Sequence, residues 1–320
     1  LPIRRRIRIL FGCNEEAGSD DIKYYLANGG EIPVMGFTPD GEYPVINGEK
    51  GIINVTFSHA NVQTGDVRLL SIHGGTAPNV VPAHACAKLA CPRELAQRLA
   101  NLSAPQVRFT ATDYGLFVEA DGVSALVSTR ELGIFGIGRL LDTLPLSGEV
   151  ANAVHFLAAT LGMETDGASA GIALHDAVSG GLTLNLGVIN GDEHRLSLKI
   201  NYRYPVTKGY ADCAPILNGK FASAGFTLDS EVHKAKLYVP ADSPLVSTLL
   251  RVYREQTGLE DQPKSIGGGT YAKALPNIVA FGPIFPGEEV REHKPDEYIS
   301  VDSLMRNAQI IAAAMYEMAK

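Results

Sequence analysis

The period of apolar and polar positions changes twice along this chain. An apolar run at residues 7–11 predicts a buried strand, the small residues 12–18 a turn, and residues 20–27 a helix with Ser19 as its N-cap. A second short strand at 35–37 ends in Thr38, Pro39, Asp40 and Gly41, whose Pro and Gly mark a loop. From Gly51 alternation takes over at 53–57 and 67–72, followed by a helix over 92–102, strands over 107–112 and 115–120, and helices around Leu140 and over 149–161. The theme recurs in paired alternating strands at 182–189 and 195–202, a helix over 214–224 and a strand at 234–239. After Pro240 the first pattern returns, with a helix over 243–256 capped at its start, a glycine run at 267–269 and a strand at 278–281. A last helix follows, capped by Asp302, with Leu304, Ala308, Ile311 and Met315 as its apolar face.

These periods predict an α/β fold in two domains. Residues 1–50 and 240–320 form one discontinuous domain, and residues 51–239 are inserted in it as a lid made of two related α+β halves. The cleft between them is the expected ligand site. Carboxylates follow both early strands, Glu15 and Glu16 after the first and Asp40 after the second. In open α/β sheets ligands gather beyond the carboxyl ends of strands, because the loops there converge.

Composition narrows the class. The 320 residues are 45% hydrophobic and carry a formal net charge of −7, enough apolar material for real cores in a soluble globular protein. No long basic block exists, which argues against a nucleic-acid partner; Arg4, Arg5, Arg6 and Arg8 interleave with isoleucines as on a strand flank. Cys13, Cys86, Cys91 and Cys213 form no C-x-x-C pair, which speaks against a disulfide framework or a cysteine zinc site and fits a reducing cytoplasm. No apolar run approaches the roughly 20 residues that span a bilayer. The first strand-like run begins almost at once, with neither an initiator Met nor a signal-peptide pattern, as though the sequence opened inside a domain.

Some residues invite chemistry. Glu15 and Glu16 sit in a turn, where they are either solvated surface acids or a pair that divides metal binding from general-base work, since a hydrolytic metal site needs both. Asp40 by itself reads first as a turn residue and only then as a ligand. His293, in a polar, acid-rich loop, is an ordinary exposed histidine or a zinc ligand with carboxylates to orient it. His155 reads as a packing or surface residue of a helix. The glycine run is not a nucleotide loop, because no Gly-Lys-Ser/Thr follows it.

Several segments together carry a resemblance: Phe11 to Glu16, Gly36 to Pro44, Asn47 to Gly51, Gly74 to Pro82, Asn201 to Pro205, Gly267 to Ala272 and Phe281 to Glu288. Their order resembles the bacterial dipeptidase V branch of the zinc aminoacylase and carboxypeptidase superfamily, over essentially the whole chain. The resemblance implies a zinc-exopeptidase-type mixed-sheet catalytic domain with an inserted two-part lid of ferredoxin-like character. It implies a two-zinc site that hydrolyses short peptides, with Glu15 as general base, Glu16 and Asp40 each on one metal, and His293 on the metal that Glu16 binds. Asn79 and Arg203 from the lid would hold the substrate's carboxylate, a task that suits the planar fork of an arginine. Backbone near Gly268 and Gly269 would approach the substrate closely. The doubled lid implies a monomer.

Two departures qualify this expectation. The family carries a metal-binding histidine and a bridging aspartate upstream of the paired glutamates, and 14 residues precede Glu15 here. The implied metal site is therefore incomplete, or completed by a separate N-terminal fragment. Leu126 also stands where the family has a histidine that supports the oxyanion, a loss that typically lowers rate by about 10² to 10³. Alternatives are a non-catalytic peptide-binding remnant of the scaffold and an N-acyl amino acid amidase.

Overall fold

The computed structural model describes residues 2–102, 104–126, 136–146, 148–259, 262–292 and 294–320. It divides into two compact units, Leu1–Lys50 with Ala235–Lys320, and Gly51–Lys234. In chain order the elements are α1 (Asp20–Ala27), β1 (Gly36–Thr38), β2 (Ile46–Glu49), β3 (Gly51–Ala60), β4 (Arg68–Gly74), β5 (Val80–Val81), β6 (His84–Ala90), α2 (Arg93–Leu99), β7 (Val107–Thr112), β8 (Gly115–Asp121) and β9 (Ala125–Leu126). Then come α3 (Gly136–Thr143), α4 (Glu149–Thr160), β10 (His175–Asp176), β11 (Gly180–Gly181), β12 (Thr183–Asp192), β13 (Arg195–Tyr204), α5 (Ala214–Ser223) and β14 (Thr227–Lys234). The chain closes with β15 (Leu237–Tyr238), α6 (Pro244–Thr257), β16 (Lys264–Ile266), β17 (Ile278–Ala280) and α7 (Val301–Ala319).

The first unit is built on a mixed sheet in the order β1-β17-β2-β15, with β16 also pairing to β2. The β1–β17 and β16–β2 pairs are parallel and the others antiparallel. Such a sheet needs cover, and α6 and α7 supply it. Tyr43 stacks on Tyr253 of α6 at 5.1 Å and meets Phe281 edge-on at 5.0 Å, and Leu249, Ile310 and Ala314 join the same core. Ser243 caps α6 as expected, accepting from the Val246 N–H at 3.2 Å.

Several expectations for this unit are corrected. Residues 7–11 pair with no described strand, and Ile9, Leu10 and Phe11 are exposed, because an apolar run becomes a buried strand only beside a partner. The arm before them instead caps the last helix: the Arg4 and Arg5 N–H groups donate to the Ala319 carbonyl, and the Arg5 guanidinium donates to Met318 O. Ser19 is left-handed and makes no side-chain cap; the Asn14 side-chain oxygen accepts from the Asp20 N–H instead. The cap of α7 is Ser300, not Asp302. Its buried face runs through Ser303, Asn307, Ile310, Ala314 and Met318, leaving Leu304 exposed. Two polar residues hold that stripe inside, since Ser303 donates to Glu288 and Asn307 donates to Pro283 O at 3.0 Å.

The second unit is organised by one antiparallel sheet of eight strands in the order β14-β3-β13-β12-β4-β6-β8-β7. The two halves read from the sequence thus share a continuous sheet, with α2 and α3 against the β6–β8–β7 end and α5 near β14. Alternation sorts its faces. Ile53, Val55 and Phe57 of β3 and Leu198, Ile200 and Tyr202 of β13 join the helices in one core, where Phe57 stacks on Phe221 at 4.3 Å. Asn54, Asn201 and Arg203 therefore project from the opposite face. Instead of one strand at 234–239 the chain makes β14, exposed at almost every residue on the sheet's edge, and the short β15, which pairs with Gly48 and Glu49 in the first unit's sheet.

Candidate active site

The paired glutamates occupy a pinned turn. Gly18 N–H donates to Glu15 O and Ser19 N–H to Asn14 O, closing the turn, with Glu15 half-buried and Glu16 exposed. Its base is the Asp21 carboxylate, whose Oδ2 accepts from Cys13 N–H at 2.7 Å, Asn14 N–H at 3.2 Å and the Tyr271 hydroxyl at 2.7 Å. The Cys13 N–H and then the Tyr271 hydroxyl hold the Asp21 carboxyl below its ordinary range. Gly12 makes the approach possible: a Cβ there would stand 2.1 Å from the Tyr271 oxygen. Residues 12–17 and Tyr271 together line a shallow depression.

Tyr271 lies two residues past the glycine run, and that run has its own anchor. Glu49 of β2 is fully buried and accepts from the Thr270 hydroxyl at 2.7 Å and the Thr270 N–H at 3.1 Å. Lys273 donates to Lys50 O at 2.6 Å and Gly268 O at 3.3 Å. Burial raises the Glu49 carboxyl against the pull of Thr270 and of the Lys273 charge, and Asp40 lies near enough for its charge to add to the rise. Asp40 itself is exposed beyond β1. The structure thus draws together the glutamate turn and the glycine loop through Tyr271, and Asp40 and the same loop through Glu49. His293 lies outside the described residues. Carboxylates suit a divalent ion, yet among the described residues no three His, Cys, Asp or Glu side chains are grouped to hold one.

The other two expected residues belong to the second unit. Arg203 is buried on the polar face of the sheet, its Nε donating to Asn201 Oδ1 at 3.3 Å, and Asn201 donates in turn to Asn54 Oδ1 at 2.8 Å. Burial lowers the guanidinium's pKa. Asn79 is exposed in the Ala77–Val80 turn, closed by the Val80 N–H on Ala77 O at 3.3 Å. The β5–β9 pairing sets the Leu126 backbone opposite Val80, next to that turn. His155 is exposed on α4.

Comparison with known proteins gives the family. Residues 2–317 match the family described as Peptidase family M20/M25/M40. The chain belongs to peptidase family M20/M25/M40. Among M20/M25/M40 relatives, a Bacillus subtilis (strain 168) protein bearing the provisional name dipeptidase YtjP is 35% identical over all of this chain and 71% of its own length. The Beta-Ala-Xaa dipeptidase of Lactobacillus delbrueckii subsp. lactis is 32% identical over 99% of this chain and 69% of its own. Two solved structures share the M20/M25/M40 fold: a tripeptidase from Staphylococcus aureus subsp. aureus Mu50 (TM-score 0.51, 11% identity, 96% of this chain) and the aminoacylhistidine dipeptidase of Vibrio alginolyticus (0.50, 15%, 88%). This chain spans 62% and 64% of those two.

Residues that sequence reasoning passed over surround the expected ones. Asp21, Glu49 and Tyr271 touch the turn or the loop without belonging to the obvious acid pairs, and two of them sit in the quoted segments without an assigned role. No period in the sequence announced them: the burial of Glu49 appears only once β2 is formed, and such groups are rarely buried unpaired.

Proposed function

We propose that this chain serves zinc-dependent hydrolysis of short peptides with a free carboxylate end. Glu15 is the general base that takes a proton from the attacking water. Glu16, Asp40 and His293 are the metal ligands, Asn79 and Arg203 receive the substrate carboxylate, and the backbone at Gly268 and Gly269 faces the scissile region. The second unit is a lid domain inserted in a catalytic first unit, in a cytoplasmic monomer. The observation that carries the reading is the Asp21–Tyr271 hydrogen bond of 2.7 Å, which couples the paired-glutamate turn to the loop after the glycine run. The exposure difference between Glu15 and Glu16 supports unlike duties for adjacent carboxylates. The names of the Bacillus and Lactobacillus relatives support a dipeptide substrate.

Hydrolysis of a dipeptide panel, with zinc content measured on the same samples, tests the reading. Turnover of dipeptides over N-acyl amino acids, abolished by Glu15→Gln with metal content retained, is the expected result. Turnover unaffected by Glu15→Gln rejects Glu15 as base. Binding of dipeptides without zinc or turnover leaves a peptide-binding protein and removes catalysis.

A further inference from the structure

The Ala77–Val80 turn, which presents Asn79, rests on β12 at one place. Asn185 of β12 is fully buried, and its Nδ2 donates both to Pro78 O at 2.8 Å and to Val80 O at 2.9 Å, the carbonyls on either side of Asn79. Two carbonyl acceptors fix the amide's orientation, since turning it over would set oxygen against oxygen. Its Oδ1 is left buried with no hydrogen-bond partner among the described residues. A buried acceptor without a partner is disfavoured, and its retention asks for a reason.

The sheet beneath the turn is adapted to the same contact. β12 carries a bulge between Leu186 and Val188, and a Cβ on the intervening Gly187 would stand 2.4 Å from Pro78 O and 2.5 Å from Ala77 O. At the end of β4, Gly75 has φ +71°, and a Cβ there would stand 1.8 Å from Gly187 O. Across the β12–β13 ladder Asn185 faces Asn201, the residue that holds the Arg203 guanidinium, so Asn185 and Arg203 share one face of the sheet.

We infer that Asn185 is a positioning residue that fixes the height and register of the Asn79 turn beside Arg203, so that Asn79 and Arg203 meet the two ends of one substrate carboxylate. The inference rests on the peptide-binding reading above. Asn185 touches no substrate and acts only through Asn79.

The test is a double-mutant cycle on the full chain, read by calorimetric binding of leucylglycine and of its C-terminal amide. Asn79→Ala and Asn185→Leu are each expected to weaken leucylglycine binding by roughly tenfold, to weaken amide binding less, and in combination to weaken leucylglycine binding little further, because groups acting as one unit are non-additive. A double variant weakened by the product of the two single effects, or an Asn185→Leu chain that binds leucylglycine normally, overturns the inference. If the unmodified chain does not prefer the free carboxylate, the peptide-binding reading fails, and amide exchange at Val80 then tests the pin by itself. Faster Val80 exchange in Asn185→Leu supports the pin, and unchanged exchange overturns it. Should Asn185→Leu not fold, Gly187→Ala displaces the same turn from below and is expected to give the same binding loss; undiminished binding in a folded Gly187→Ala chain overturns the inference.

Discussion

The two units solve the burial problem differently. The second gathers its large apolar side chains into one core beneath eight strands, in which Phe57, Leu116, Leu198 and Phe221 are all sealed. The first has short strands and two smaller clusters, one around Tyr43 and one around Ile22, and leaves Phe11, Val34 and Val301 largely exposed. A continuous core averages over many contacts, whereas a divided one depends on individual hydrogen bonds and caps. The glutamate turn and the glycine loop lie in the unit of the second kind, and both are held by single carboxylates, Asp21 and Glu49.

The sharpest way to break this comparison is to cut into the continuous core. Phe221→Ala is expected to cost about 3–5 kcal/mol in urea unfolding and to lower amide protection along β3 and β13. A loss below about 1 kcal/mol would show that the core is looser than its packing. Next comes a polar anchor of the same unit. Burial alone would raise the Asp176 carboxyl, but N–H groups of Ser179 and Thr207 and both their hydroxyls outweigh it and bring it down to about 2. Because the folded value lies below the ordinary 3.8, its stabilisation is present above that value and lost as pH falls towards about 2. Asp176→Ala is expected to remove about 2–3 kcal/mol at pH 7 and to flatten the acid limb of the stability curve.

Smaller effects belong to the divided unit. Ser243→Ala removes the cap of α6 and is expected to cost about 1 kcal/mol by thermal or urea unfolding. Smallest in global terms is Asp21→Asn, read locally as faster amide exchange at Cys13 and Asn14. The Asp21 carboxyl is also depressed, so in the unmodified chain that protection should fade as pH drops below about 3.8, while the Asn variant shows no such step. Equal protection in both chains at neutral pH would remove Asp21 as the turn's anchor.

Where alternation was strong the sequence was legible. Leu184, Leu186, Leu198 and Ile200 announce both the strands and their buried face, and the helices over 149–161 and 243–256 followed from apolar spacing and Ser243. Misreadings arose where polar groups were buried or apolar ones were not. In α7 the true inner stripe includes Ser303 and Asn307, so an apolar-only reading shifted the face by one position. β14 was not anticipated, because Asp229, Ser230 and Glu231 break the apolar alternation, though edge strands carry such residues to remain soluble. Of the site, the glutamate pair, Asp40, Asn79 and Arg203 were visible as residues. Their supports were not, because Asn185, Glu49 and Tyr271 act through contacts distant in sequence that no local pattern encodes.

The register of β14 on β3 has a consequence for how the chain folds. Lys234 lies opposite Ile52, so the last residue of the second unit sits across one ladder from its second residue. If the long insertion were unfolded, bringing β15 back to β2 would require closing a very large loop, an entropic cost on the order of 5 kcal/mol. A second unit that forms first makes that closure in advance, because its own strand pairing returns the chain to its starting point. The first unit, whose segments come from both ends of the sequence, then assembles almost as though they were contiguous. Synthesis order favours this route, since all of residues 51–234 emerge before α6 and α7 are made.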